Sequence, residues 1–257
     1  MPSLMFVAAH PDDDVFGAAR AVALHSGDPD LRFTLVHATD GEAGEIAPDS
    51  GVTREELGTV RRRETRDGWE AVGRLPDRHD WFGLPDGGLT EHPFDDLVDR
   101  IATVMAAERP DVVITFGPDG ITGHPDHIAV SAATTTVFER LSGEGDGLRR
   151  LLYCVIPQSW IERWNSHRVA DGLEPWDPTR PYHLRGVPDA SIGIDADTEA
   201  VVDRVLAGVR AHKTQWSYQT MDSDPALVDS LRRDHYVIAR PSGRSAGPPL
   251  GDVFEGL

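Results

Sequence analysis

Short apolar, β-branched runs recur along the chain at 4–9, 33–38, 112–116, 151–156, 192–194 and 236–239. Several are apolar throughout rather than alternating, the pattern of strands buried on both faces of a mainly parallel sheet. Between them, apolar residues fall at helical spacing. The spacing predicts helices over 15–25, 53–75, 94–107, 128–141 and 198–212. Leu57, Val60, Trp69 and Val72 mark one face of the second, and Val201, Val202, Val205, Leu206 and Val209 one face of the last. Strands alternating with helices predict an α/β, Rossmann-like fold. Helices would cover both faces of the sheet, and the active site would lie at the carboxyl ends of the strands.

The length of 257 residues suits a single domain, 1–257. No internal repeat or domain-scale linker interrupts it. The stretch 158–190 carries Trp164, Trp176 and Tyr182 among prolines and arginines, and reads as an irregular pocket wall or lid. The tail over 241–257 reads as flexible. No apolar run approaches the roughly 20 residues of a membrane span. The first run ends at His10 with no basic segment before it, so it is not a signal peptide. Cys154 is alone, which rules out a disulfide framework and suits a cytoplasmic location. The formal net charge of -18 argues against a nucleic-acid partner gripped through its phosphates and against docking on anionic lipid. Lys213 is the only lysine, for which a GC-rich genome is the simplest explanation. A homo-oligomer is left open.

Two stretches bring chemistry into this frame. In "FVAAHPDDDVFGAA" (6–19) an apolar run stops at His10 and Pro11, and Asp12, Asp13 and Asp14 follow at the start of a helix. A helix N-terminus accounts for one or two of these acids, since side-chain oxygens accept its free N–H groups. It does not account for three acids and a histidine. In "TFGPDGITGHPDHIAV" (115–130) a second His-Pro-Asp again follows an apolar run and precedes a helix, with His124 and His127 three apart. Parallel strands would bring the two junctions to one sheet edge. Histidine and aspartate together favour a divalent metal, with zinc leading and iron(II) the alternative. Zinc lowers the pKa of a bound water to about 7. A neighbouring carboxylate can take the proton, and a second group can stabilise an oxyanion or assist a leaving nitrogen. No G-x-G-x-x-G follows the first strand, which speaks against dinucleotide binding.

The runs "HPDD" (10–13) and "GHPDH" (123–127) resemble the two signatures of the PIG-L/LmbE-like family of zinc-dependent N-deacetylases. The likeness extends to "TDGEAGE" (39–45), "RRRE" (61–64), "LPDGGL" (84–89) and "AHKTQ" (211–215), covering about 4–219 in order. It implies that His10, Asp13 and His127 bind zinc and that Asp12 is the general base. His124 would be the general acid or oxyanion partner, and Asp126 a carboxylate that orients a histidine. Arg61 and Asp86 would contact substrate hydroxyl or anionic groups. Locally, Arg61 also reads as an exposed helical charge, and Asp86 as the acid that a Pro-Asp-Gly-Gly turn requires. His212 reads as a helix C-terminal histidine outside the site. The chain departs from the family in having Asp14 where glutamate is usual, and Thr122 where some sugar deacetylases carry an aromatic residue. The implied activity is hydrolysis of an N-acetyl group on a small amino-sugar substrate. The alternatives are an amidase of a larger thiol-sugar conjugate, a natural-product tailoring deacetylase and, with no ligand missing to favour it, a non-catalytic binding protein.

Overall fold

The computed structural model describes residues 1–215, 225–242 and 247–257. Seven of its strands form one sheet. In chain order, β1 (Ser3–Ala8), β2 (Arg32–Thr39), β3 (Arg78–Leu84), β4 (Val112–Phe116) and β5 (Arg150–Cys154) are followed by a separate short pair, β6 (Ile156–Pro157) with β7 (Gly186–Val187). The chain then returns to the sheet as β8 (Ile194–Asp197) and β9 (Arg233–Arg240). The sheet order is β3-β2-β1-β4-β5-β9-β8. The first five strands pair in parallel, and β9 runs antiparallel to both β5 and β8. The mainly parallel, Rossmann-like architecture expected from the pattern is therefore present. β1 lies between β2 and β4, and residues 4–9 are buried throughout, as strands covered on both faces require.

Helices cover both faces. On one, α1 (Asp13–Gly17), α2 (Ala19–Leu24), α3 (Arg54–Val72) and α8 (Val202–Arg210) pack together; on the other, α4 (Phe94–Glu108) packs on α6 (Pro125–Leu141). At the start of α3 the Glu56 carboxylate accepts hydrogen bonds from both the N–H and the hydroxyl of Thr53, which fixes the helix entry. The short α5 (Gly120–Gly123), α7 (Gln158–Ala170) and α9 (Pro225–Ser230) complete the α-helices of the described residues.

Four expectations need revision. The helix predicted over 15–25 is two helices, broken at Ala18. Gly17 lies so close to the Phe6 ring that a Cβ there would collide with it, so the chain turns onto the sheet at this point. β3 escapes the hydrophobic pattern because it is a half-buried edge strand, RHDWFGL, without an apolar run. The stretch 158–190 is not irregular throughout. α7 forms at its start, where 158–170 lacks glycine and proline and sets Trp160 and Trp164 four apart, with ring centroids 4.8 Å apart. The end of the supposedly flexible tail is docked: Leu250 bridges to Ile194, Val253 is buried, and the Arg150 guanidinium donates to the carbonyls of Val253 (2.6 Å) and Glu255 (2.9 Å). Residues 243–246 of that tail lie outside the described residues.

Removing residues 250–257 would expose the apolar surface under Val253 and strip Arg150 of both acceptors. The expected cost is about 2–4 kcal/mol, measured as a drop in urea unfolding free energy. An unchanged midpoint would show that the docked end contributes nothing.

Candidate metal centre and active site

β1 and β4 are parallel neighbours, paired from Leu4↔Val112 to Phe6↔Ile114. Their carboxyl ends deliver the 10–14 turn and the 120–127 turn side by side. Three groups converge there. His10 Nδ1 lies 3.2 Å from His127 Nε2, His127 Nε2 lies 3.2 Å from Asp13 Oδ1, and His10 Nδ1 lies 3.4 Å from Asp13 Oδ2. The two ring nitrogens and the Asp13 carboxylate are close enough to share a small divalent cation.

The opposite nitrogen of each ring is already held. His10 Nε2–H faces Asp86 Oδ1 at 3.0 Å and Asp126 Oδ2 at 3.4 Å, and His127 Nδ1–H donates to the Gly120 carbonyl at 3.1 Å. With those protons placed, both imidazoles turn a lone pair toward Asp13. Two lone pairs and a carboxylate this close repel one another unless a cation joins them. The local field favours one. Burial pushes the His10 imidazole down, but its bonds to Asp126, Asp13 and Asp86 outweigh this and hold its pKa well above the ordinary value. Burial likewise raises the Asp13 carboxyl, but His127 and His10 overcome it and hold Asp13 well below the carboxylate range.

Two three-residue groups have one donor atom each, all within 4.8 Å of one another, among the described residues: His10, His124 and His127, and His10, Asp86 and Asp126. In the second group the carboxylates already accept backbone N–H groups. Asp126 takes those of Gly87 (2.8 Å) and Leu89 (3.1 Å), and Asp86 that of Ala43 (2.9 Å). They are placed to orient His10 from its far side.

The three consecutive acids have separate partners. Asp12 sits at φ 103, a left-handed conformation that costs a non-glycine residue about 1–3 kcal/mol. Its N–H donates to Asp14 Oδ1 (3.0 Å), and its Oδ2 accepts from Arg61 (2.8 Å). Arg61 is only 3% exposed and also donates to the carbonyls of Gly41 (2.8 Å) and Pro11. It is neither an exposed helical charge nor open to solvent. Asp14 is fully buried, faces His37 Nε2 at 3.2 Å and accepts from the Trp69 indole. His37 Nδ1 in turn lies 2.9 Å from His79 Nε2.

His124 is the N-cap of α6, and its Nδ1 accepts the Asp126 N–H at 3.1 Å. Its proton therefore resides on Nε2. Its ring centroid lies 4.6 Å from that of His10 and 4.8 Å from that of His127. Burial first, and the nearby His10 and His127 next, push its pKa down to about 4.

The remaining signatures brace this site. Glu64 accepts from the Thr214 N–H (2.8 Å) and hydroxyl (2.6 Å), the Thr214 carbonyl accepts from Ala47, and Gln215 donates to the Glu45 carbonyl (3.2 Å). Glu42 accepts the Asp86 N–H at 2.9 Å. His212 is fully buried against α3 at Gly68 and does not sit on an exposed helix end. Helical spacing places Trp69 on a core face but not against Asp14, and His37 stands unmarked within its strand. A histidine inside the apolar run 33–38 was the available signal.

The model of the family described as PIG-L, GlcNAc-PI de-N-acetylase, matches residues 5–138. A 1D-myo-inositol 2-acetamido-2-deoxy-alpha-D-glucopyranoside deacetylase from Saccharomonospora viridis is 31% identical, covering 99% of this chain and 100% of that protein. The chain belongs to the PIG-L family. A deacetylase of the same name from Saccharopolyspora erythraea is 29% identical over 98% of this chain and 100% of its own. Among solved structures, N,N'-diacetylchitobiose deacetylase from Pyrococcus horikoshii superposes with a TM-score of 0.61 at 18% identity, covering 92% of this chain and 83% of that one. The 4-carboxy-2-hydroxymuconate hydratase from Pseudomonas putida superposes with a TM-score of 0.64 at 18% identity, covering 96% and 100%. The PIG-L fold thus also carries a different chemistry, and the activity must be argued from the site.

Burial first and His37 next push the His79 pKa down to about 3, and burial pushes His212 down to about 4. Unfolded histidines titrate near 6.5, so below that pH the unfolded chain binds more protons than the folded one. Unfolding free energy should therefore fall as pH drops from about 6.5 to 4. His79→Gln keeps an acceptor for His37 and should flatten part of that slope in denaturation midpoints taken across the window. Equal slopes for the variant and wild type would contradict it.

Proposed function

We propose that this chain is a zinc-dependent N-deacetylase that hydrolyses the acetamide of a small amino-sugar conjugate, as a cytoplasmic enzyme. One observation carries the reading: His10 Nδ1, His127 Nε2 and Asp13 converge beside the His124 ring, on the turn that also carries Asp12, in a chain similar over its full length to named deacetylases. His10, Asp13 and His127 hold the metal. When bound, zinc supplies Lewis acidity toward the acetyl oxygen and lowers the pKa of a water.

The chain's residues do the rest. Asp12 takes the proton of the attacking water. Arg61, buried and bonded to Asp12 Oδ2, orients that carboxylate, a role its position supports better than the substrate contact the resemblance implies. Asp86 and Asp126 hold His10 in the tautomer that turns Nδ1 inward. His124, neutral because its pKa is depressed, offers Nε2–H to the oxygen that gains charge, which favours the oxyanion role over that of general acid. The water oxygen bonds to the acetyl carbon, the C–N bond breaks, and the proton held by Asp12 passes to the departing amine. Acetate and a free amino sugar result.

The test is amine release from N-acetylglucosaminyl-inositol by the zinc-loaded protein. Asp12→Asn should retain zinc and lower kcat by about 10²–10⁴-fold, while His10→Ala should lose metal by elemental analysis. Zinc-loaded wild type that releases no amine from any N-acetylglucosaminide would sink the reading. An Asp12→Asn variant with wild-type kcat would remove the assigned base.

A further inference from the structure

The arm between α7 and β7 sets one aromatic ring against the turn that carries His124. Its base is fixed where Ile156 pairs with Gly186 in the small sheet. The Arg185 N–H donates to the Ile121 carbonyl at 2.7 Å, which ties the arm to that turn. Farther out, the Asn165 side chain accepts the Trp176 N–H (2.6 Å) and donates to the Trp176 carbonyl (3.1 Å). His183 Nδ1 accepts the Asp177 N–H at 2.9 Å, and the His183 ring lies edge-on to Trp176. Tyr182 therefore adjoins residues held both within the arm and against the turn. Tyr182 at φ +62 and Ile121 at φ +64 adopt left-handed conformations that disfavour any residue but glycine, a β-branched one most. Backbone strain of this kind collects where a side chain must be held for function.

The held ring is not a core residue, because Tyr182 is 62% exposed. Its centroid lies 5.2 Å from that of His124, with the ring planes at 77°. Rings so nearly perpendicular meet through an edge, so His124 covers at most one face of the phenol ring. With this exposure, a face stays open beside the imidazole that serves as oxyanion donor. When the scissile carbonyl meets His124, only the amide nitrogen separates the carbonyl carbon from the pyranose, which brings the sugar ring alongside Tyr182. A gluco-configured pyranose carries its substituents around its equator, so each face is C–H surface that an aromatic face can cover. An open-chain amino alcohol offers no such face.

We infer that Tyr182 is a specificity-determining residue whose open face receives the pyranose ring, so that the enzyme selects cyclic amino sugars over open-chain amino alcohols of equal charge. The inference rests on the deacetylase reading for the position of the carbonyl, and adds the side chain that reads the ring.

Binding of free amines tests it without turnover. Methyl glucosaminide and serinol, which both present one ammonium group flanked by oxygen-bearing carbons, are titrated calorimetrically into the zinc-loaded full chain. Wild type should bind the glucosaminide at least about tenfold more tightly than serinol. Tyr182→Ala should weaken the glucosaminide about tenfold and leave serinol unchanged. Tyr182→Phe and Tyr182→Trp, which keep a ring face, should stay within about threefold of wild type. A wild-type ratio near one, or no detectable binding of the glucosaminide, overturns the inference, as does Tyr182→Ala weakening both ligands equally. Tyr182→Phe falling as far as Tyr182→Ala overturns it too, since the hydroxyl rather than the ring face would then bind. Thermal melting of the three variants checks that they are folded. Failure of amine release from N-acetylglucosaminides counts against the deacetylase reading and leaves the binding ratios readable.

Discussion

The structure around the site depends on how one imidazole is held. His10 follows β1 by two residues, and four side chains meet its two nitrogens: Asp86 and Asp126 at Nε2, Asp13 and His127 at Nδ1. A ring alone can rotate and choose either tautomer. Here the carboxylates on one side fix the proton, and the lone pair must then face Asp13 and His127. Each outer carboxylate is itself anchored by backbone N–H groups of the 86–89 turn or the 41–44 loop. The geometry around His10 is thus set by loops that follow β1, β2, β3 and β4, all gathered at the carboxyl edge of one sheet.

The acidic turn is tolerable because its charges are divided. Asp13 faces histidines, Asp12 faces Arg61, and Asp14 turns inward to His37 and Trp69. Asp14 also holds the Asp12 N–H, which keeps Asp12 in its left-handed conformation. That strain lies on the residue proposed as the base, where a fixed carboxylate position matters most.

Much of this was legible in the chain. Fully apolar runs predicted buried parallel strands, and two His-Pro-Asp junctions more than a hundred residues apart predicted that both turns meet, as His10 and His127 do. What escaped had weak local signals. β3 is an edge strand with polar alternation, and α7 sits in a stretch whose prolines and arginines resemble a loop. Docking of the last residues depends on Arg150, remote in sequence. Arg61 looked like a surface charge or a substrate contact because a helical pattern alone does not say which face meets the 10–13 turn.

The sequence by itself determined the class of fold, the residue types at the centre and the family, because strand periodicity and strand-to-helix junctions are local properties. Only the tertiary structure decided the register of the acids. A one-residue slip would exchange Asp12 and Asp13, and nothing in "HPDDD" forbids it. The choice is made by groups far away in the chain: Arg61 draws Asp12 one way, and His127 draws Asp13 the other. Which oxygen meets which partner follows from the packing of β1 against β4 and α3, an arrangement that exists only once the sheet has formed.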